Sequence, residues 1–308
     1  MPTPEVLNQG RFQVSVSPFS RSGASKMEEL QALLENHGDV KPFKDFDDLE
    51  RLLLQQIEAK KPVVWVGGGD GTIRFAAQVL KHQEIALGIL PLGTGNSLAR
   101  DLNIPLSLDK AVEALLHSQE VEHIDLGLFG DEVFVNVATL GASTQIAKGL
   151  RKKEKRYLGI LSYIPALRRG LPHLESVRVS LHSPDYSYTG RVVQLVVASG
   201  QNHMGVIKVT QKADITDGKL SVYLVRDEGK KSLMRYARAL GIRRQELAGN
   251  VDSFETDCID LRLPKPQPFV IDGETRKTDL VAIRILPGAL RVLLPYDPHH
   301  DDPARSEV

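Results

Sequence analysis

Two domains of different architecture are predicted for this sequence: a doubly wound α/β domain over residues 1–125, then an antiparallel β-sandwich over 126–293. Three observations predict them. Before Asp125, short unbroken apolar runs alternate with helical apolar stripes; after it, several segments alternate apolar with polar residues; and two glycine-rich turns each follow an apolar run. Unbroken runs suit strands buried on both faces of a parallel sheet, whereas strict alternation suits strands with one solvated face.

Taken in order, residues 11–17 read as a strand, and 26–36 as a helix with Met27, Leu30, Leu33 and Leu34 on one face. Residues 47–59 repeat that spacing through Leu49, Leu52, Leu53 and Ile57. The run 62–66 is a buried strand, and 72–82 carries Ile73, Ala76, Ala77 and Leu80, the stripe of a helix covering a sheet. A further strand at 85–90 and a helix at 108–117 complete the alternation that argues a parallel sheet.

Beyond Asp125, strands are expected at 132–138, 176–181, 188–198, 219–226, 257–263, 280–285 and 291–294. Val177, Val179 and Leu181 show the alternation most clearly. Helical pattern interrupts only at 157–170 and 231–242, so an antiparallel sandwich is the economical reading. The tail from His299 is charged and proline-bearing, the composition of a disordered segment.

Composition excludes several classes. The 308 residues are 42% hydrophobic and 25% charged, enough apolar material for two cores. Cys258 stands alone, so no intramolecular disulfide forms and a reducing, cytoplasmic compartment is expected. The start of the chain lacks the apolar core of a signal peptide, and the uncharged stretch 85–99 is too short to span a bilayer. Formal net charge is zero, which argues against nucleic acid as a partner and leaves a homodimer open. Charge is uneven, however: residues 148–169 hold eight basic side chains against Glu154, and 226–244 hold seven against Asp227 and Glu228. Such runs are either solvated faces or contacts with an anionic membrane surface.

The sharpest feature is the strand-ending turn Gly67-Gly68-Gly69-Asp70-Gly71-Thr72, which opens a helix. Glycines let a backbone approach a phosphate, and a helix N-terminus offers it free N–H groups and partial positive charge. The plain alternative is a tight turn with Asp70 capping its own helix. A second turn, Gly93-Thr94-Gly95-Asn96-Ser97, follows the next strand. Two such turns one βα unit apart belong side by side at the carboxyl edge of a parallel sheet, where ligands bind. Neither has the Gly-Lys-Ser/Thr of a P-loop.

Gly68-Gly69-Asp70-Gly71-Thr72 resembles the GGDGT signature of the diacylglycerol kinase catalytic-domain family, shared with sphingosine, ceramide and NAD kinases and phosphofructokinases. Pro91-Leu92-Gly93-Thr94-Gly95-Asn96 is similar to the PxGTxN signature of the lipid-kinase branch. Ser17-Pro18-Phe19-Ser20-Arg21-Ser22-Gly23 resembles the opening NPxSxxG motif, with Ser17 in place of asparagine. Further resemblances lie at His123-Ile124-Asp125-Leu126-Gly127, the IDLG that links the domains, at the D-x-x-DG-x-L spanning Asp214, Asp217 and Leu220, and at the terminal DGE of Asp272-Gly273-Glu274.

That resemblance, which runs from Ser17 to Leu294, implies a phosphofructokinase-like nucleotide domain, with 294–308 returning to it, and a lipid-substrate β-sandwich. It implies ATP and Mg²⁺ as cofactors and a lipid alcohol as substrate, at a membrane surface and within phospholipid metabolism. Asp70 is implied as general base or member of a water-mediated Mg²⁺ network, Glu274 as its catalytic partner, and Asp125 as holder of a metal-shell water. Asp214, Asp217 and Leu220 are implied as a structural cation site. On the residues alone, Asp-Gly at 272–273 and 217–218 is equally a turn signal. Departures are Ser97 where the family often has aspartate, Phe75 where it commonly has glutamate, Gln211 for a frequent proline, and Met204-Gly205 for a glycine pair. The alternatives are an NAD kinase, or a nucleotide- or lipid-binding regulator with weak catalysis.

Overall fold

The computed structural model describes residues 12–17, 23–118, 120–142, 144, 175–199, 202–203, 207–208, 215–229 and 250–296. The expected helices at 157–170 and 231–242, most of the two basic runs, and the tail from His299 lie outside the described residues. The chain divides into two compact units, Met1–His123 with Leu290–Val308, and Ile124–Ala289.

In the first unit, β1 (Phe12–Val16), β2 (Gly38–Pro42), β3 (Val63–Gly68) and β4 (Ala86–Pro91) form a parallel sheet in the order β4-β3-β1-β2. Its helices are α1 (Gly23–Leu33), α2 (Phe46–Glu58), α3 (Asp70–Leu80), α4 (Ser97–Asp101) and α5 (Leu108–Leu116). Val14, Val63, Trp65 and Leu90 pack with Leu30 of α1 and Val112 of α5. The intervening Val64, Val66, Leu87 and Ile89 point to the other face and are equally buried, so both faces of the sheet are covered. Burial of each such side chain stabilises by about 1.5–3 kcal/mol. This explains why β3 and β4 read as unbroken apolar runs. Strand β2 escapes that logic: it is an edge strand with one buried residue of five, and its sequence GDVKP has no apolar run to read.

Among the described residues the pairings within the second unit are antiparallel, while Val292, past the end of that unit, pairs in parallel with Leu87 of β4. Its strands are β5 (Val121–Phe129), β6 (Glu132–Phe134), β7 (Val137–Gly141), β8 (Val177–His182), β9 (Ser187–Ala198), β10 (Asn202–His203), β11 (Ile207–Lys208), β12 (Leu220–Arg226), β13 (Val251–Thr256), β14 (Cys258–Ile271) and β15 (Glu274–Leu293). The long strands β9 and β14 each pair with β8 along one stretch and with β7 along another. That circuit closes the sheet around Phe134, Leu140, Leu181, Leu195, Leu261 and Phe269.

The stretch 123–127, expected to link the domains, lies in β5, where the first unit gives way to the second. Two expectations are corrected. The single strand expected at 132–138 is two, because the Asp272 carboxylate accepts the N–H groups of Val135 (2.7 Å), Asn136 (3.1 Å) and Val137 (2.9 Å) and so bends the chain between β6 and β7. The strands expected at 280–285 and 291–294 are one, β15. Between those two stretches Gly288 takes up a φ of 57° and donates its N–H to Asp125 at 2.7 Å.

Candidate active site

Strands β3 and β4 pair in parallel with Gly67 opposite Leu90 and Gly68 opposite Pro91, so both glycine turns leave the same sheet edge together. Leu92 donates its N–H to the Gly68 carbonyl at 3.0 Å, and Ser17 donates its own to Gly67 at 2.8 Å. Contact between the turns is backbone on backbone. A Cβ on Gly93 would lie 2.5 Å from Gly69 Cα, and one on Gly95 would lie 2.4 Å from Asp70 Oδ2. Gly68 is required by Thr72, whose Cβ would stand 2.5 Å away. Gly71 differs: a Cβ there would meet nothing within 4 Å among the described residues, and its φ is not in the left-handed region.

Asp70 does not cap its own helix. Gly69 is the N-cap of α3 and provides no side-chain bond, so the first-turn N–H groups have no internal acceptor. The Asp70 carboxylate reaches instead to the second turn, where Oδ1 accepts from Ser97 N at 2.6 Å and Oδ2 from Asn96 N at 3.1 Å. Asn96, left-handed at φ 50°, folds its side chain back: Oδ1 accepts from Gly93 N at 2.9 Å while Nδ2 donates to Gly93 O at 3.0 Å. The second turn is therefore internally closed and latched to the first through Asp70, while the N-terminus of α3 stays open. Gly93, Thr94 and Gly95 form the rim, with Thr94 and Gly95 exposed.

Other sequence-selected carboxylates fall in the second unit. Asp125 is buried and accepts from Gly218 N (2.6 Å) and Gly288 N (2.7 Å), while its own N–H donates to Ile215. It thus ties the 215–218 turn to β15. Asp272 and Gly273, with φ of 45° and 91°, form the two-residue turn between β14 and β15. Glu274, first in β15, accepts from Arg276 Nη2 at 2.9 Å, and Arg276 Nε bonds both oxygens of Glu132 at 2.7 and 2.9 Å. The Glu132 bond, above all, raises the Arg276 pKa, against the opposing effect of burial. Sequence reading missed both partners: Arg276 lies two residues along an alternating strand, but nothing in the sequence links Glu132 to it.

For the cation site, Asp217 and Leu220 are described and Asp214 lies outside the described residues. Asp217 Oδ1 accepts from Lys219 N at 2.8 Å, the bond of a local turn, and Leu220 opens β12 opposite Thr256. Among the described residues no three His, Cys, Asp or Glu side chains converge as a metal cluster.

Residues 15–129 match the model of the diacylglycerol kinase catalytic domain, and residues 137–294 that of the YegS C-terminal NAD kinase beta sandwich-like domain. A Yersinia pseudotuberculosis protein described as "Probable lipid kinase YegS-like" is 32% identical over 265 residues, 84% of each chain. An Escherichia fergusonii protein described as "Probable lipid kinase YegS" is 32% identical over 239 residues, 76% of this chain and 78% of that one. The fold is similar to that of a crystal structure from Bacillus anthracis with a TM-score of 0.80 at 20% identity, covering 94% of this chain and 95% of that one. The chain belongs to the diacylglycerol kinase catalytic-domain family of lipid kinases, with a YegS-type C-terminal domain.

Proposed function

We propose that this lipid kinase transfers the γ-phosphate of ATP to the hydroxyl of diacylglycerol or a similar lipid alcohol. The observation that carries the nucleotide site is Gly71. Neither crowding nor a positive φ calls for glycine there, whereas a phosphate lying against the backbone would. The N–H groups of Asp70, Gly71 and Thr72 are the donors that α3 offers such an anion, and the Gly69–Gly93 contact fixes the second rim. Mg²⁺ fits as a partner of the phosphates, since it takes one or two carboxylates and keeps phosphate and water oxygens for the rest; Asp70 is the carboxylate these turns supply. When bound, it neutralises charge on the transferring phosphoryl group.

The chain's own part is positioning and proton handling, which is most of what phosphoryl transfer requires. Each Asp70 oxygen accepts one N–H and keeps a second acceptor position, enough to take the proton of the attacking hydroxyl. Glu274 is proposed as a second catalytic carboxylate. Peripheral membrane contact through the basic runs completes the proposal; no helix of the described residues is long and apolar enough to cross a membrane. The test is label transfer from γ-labelled ATP with Mg²⁺ to diacylglycerol, sphingosine, ceramide and NAD. Transfer to a lipid alcohol is expected. Transfer to NAD alone would make the protein an NAD kinase, and nucleotide binding without transfer would make it a regulator.

A further inference from the structure

We infer that Arg276 is a positioning residue for Glu274, and that Glu132 holds Arg276 in place; the inference rests on the catalytic role proposed above for Glu274. Glu274 and Arg276 are two residues apart in β15 and so share one face of the strand. Arg276 Nε is fixed by both Glu132 oxygens, at 2.7 and 2.9 Å. The guanidinium is planar and rigid, so fixing one edge fixes the direction of the remaining donors. One of these, Nη2, meets Glu274 Oε2 at 2.9 Å.

Stability does not account for this arrangement. The side chains of Glu132, Glu274 and Arg276 are 41%, 37% and 39% exposed, and ion pairs in that setting contribute little to folding. Orientation does account for it. Glu132 opens β6, which runs into the bend at 135–137 that the Asp272 carboxylate grips, and Asp272 belongs to the turn that delivers Glu274. Both anchors of the Arg276 fork are therefore fastened to one bend, so the Glu274 carboxylate is held from its backbone side and its tip.

The experiment measures phosphorylation of a short-chain diacylglycerol by Mg²⁺-ATP for Arg276→Met, Arg276→Lys, Glu132→Gln, Glu274→Gln and the Arg276→Met/Glu274→Gln double variant. Melting curves are recorded for each. Arg276→Met is expected to lower kcat by up to ~10²-fold, the scale of a misplaced reacting group, with the KM for ATP and the melting temperature held. Arg276→Lys should recover little, because an ammonium cannot fork. Glu132→Gln should lower kcat less, which gives a second reading should Arg276→Met fold poorly. In the Glu274→Gln background, Arg276→Met should cost nothing more. Wild-type kcat in Arg276→Met alongside an impaired Glu274→Gln, or independent losses in the double variant, would overturn the inference alone. A fully active Glu274→Gln, or a wild-type protein inert toward diacylglycerol, would overturn the functional reading and this inference with it.

Discussion

Replacing Asp70 with asparagine separates the chemical and architectural roles of the signature aspartate. The carboxylate accepts Ser97 N at 2.6 Å and Asn96 N at 3.1 Å with different oxygens. A carboxamide has one oxygen and one NH₂, so one of those N–H groups must face a donor. Leaving a buried donor unpaired costs about 1–3 kcal/mol, and Asn96 is buried. If that cost falls on the 93–97 turn, its latched form becomes rarer by about tenfold for each 1.4 kcal/mol, and ATP affinity falls with it. Affinity measured by calorimetry without Mg²⁺ should therefore drop by about tenfold, on top of a kcat loss of ~10²-fold or more for a missing base. Gly95→Ala provides an independent check, because its Cβ would displace the Asp70 carboxylate without removing its charge. It should weaken ATP binding in the same way. Wild-type ATP affinity in both variants would refute the latch, and near-wild-type turnover of Asp70→Asn would refute the base.

Gly69→Val should abolish ATP binding while circular dichroism stays native, since even a Cβ at 69 would lie 3.3 Å from Gly93 Cα and a branched side chain forces the turns apart; retained binding would move the nucleotide site elsewhere. Asp125→Ala strands the N–H groups of Gly218 and Gly288, so it should destabilise by about 2 kcal/mol or more and lower the melting temperature by roughly 4–8 °C. That shift should persist in chelator; a shift seen only with Mg²⁺ would return Asp125 to a metal shell. The Asp227 carboxyl is held below its ordinary 3.8, chiefly by the Ser176 hydrogen bond, with Gly229 N–H and Arg191 adding to it. Its stabilisation is therefore fully present above about pH 3.8 and lost as pH falls through the lower folded value, so urea midpoints should decline there and Asp227→Asn should flatten that decline. Tyr186 runs the opposite way: burial first, then its bond to Asp252, raises the phenol pKa, so the stability it contributes is present below pH 10 and lost as pH rises above it. A Tyr186→Phe variant should remove that alkaline loss from a denaturation series.

Sequence alone determined the two rhythms and both glycine turns. A strand buried on two faces must be apolar throughout, as β3 and β4 are, and a turn between such a strand and a covering helix must be marked by residues that tolerate tight backbone. Those are local demands, and local demands leave a trace in spacing. What the side chains at the site bond to left no such trace. Asp70 reads as the cap of α3 until the parallel register of β3 and β4 brings Asn96 and Ser97 within its reach. Asp272 reads as a hairpin residue, and only the pairing of β14 with β7 puts its carboxylate against the bend at 135–137. Strand β2 was invisible because an edge strand needs backbone partners more than apolar side chains. The Glu132–Arg276–Glu274 fork joins β6 to β15 across 144 residues of chain, a distance over which charge order carries no signal. Tertiary structure decided these contacts because a carboxylate bonds whatever donor the backbone brings near it, and the sheet registers alone set which donors those are.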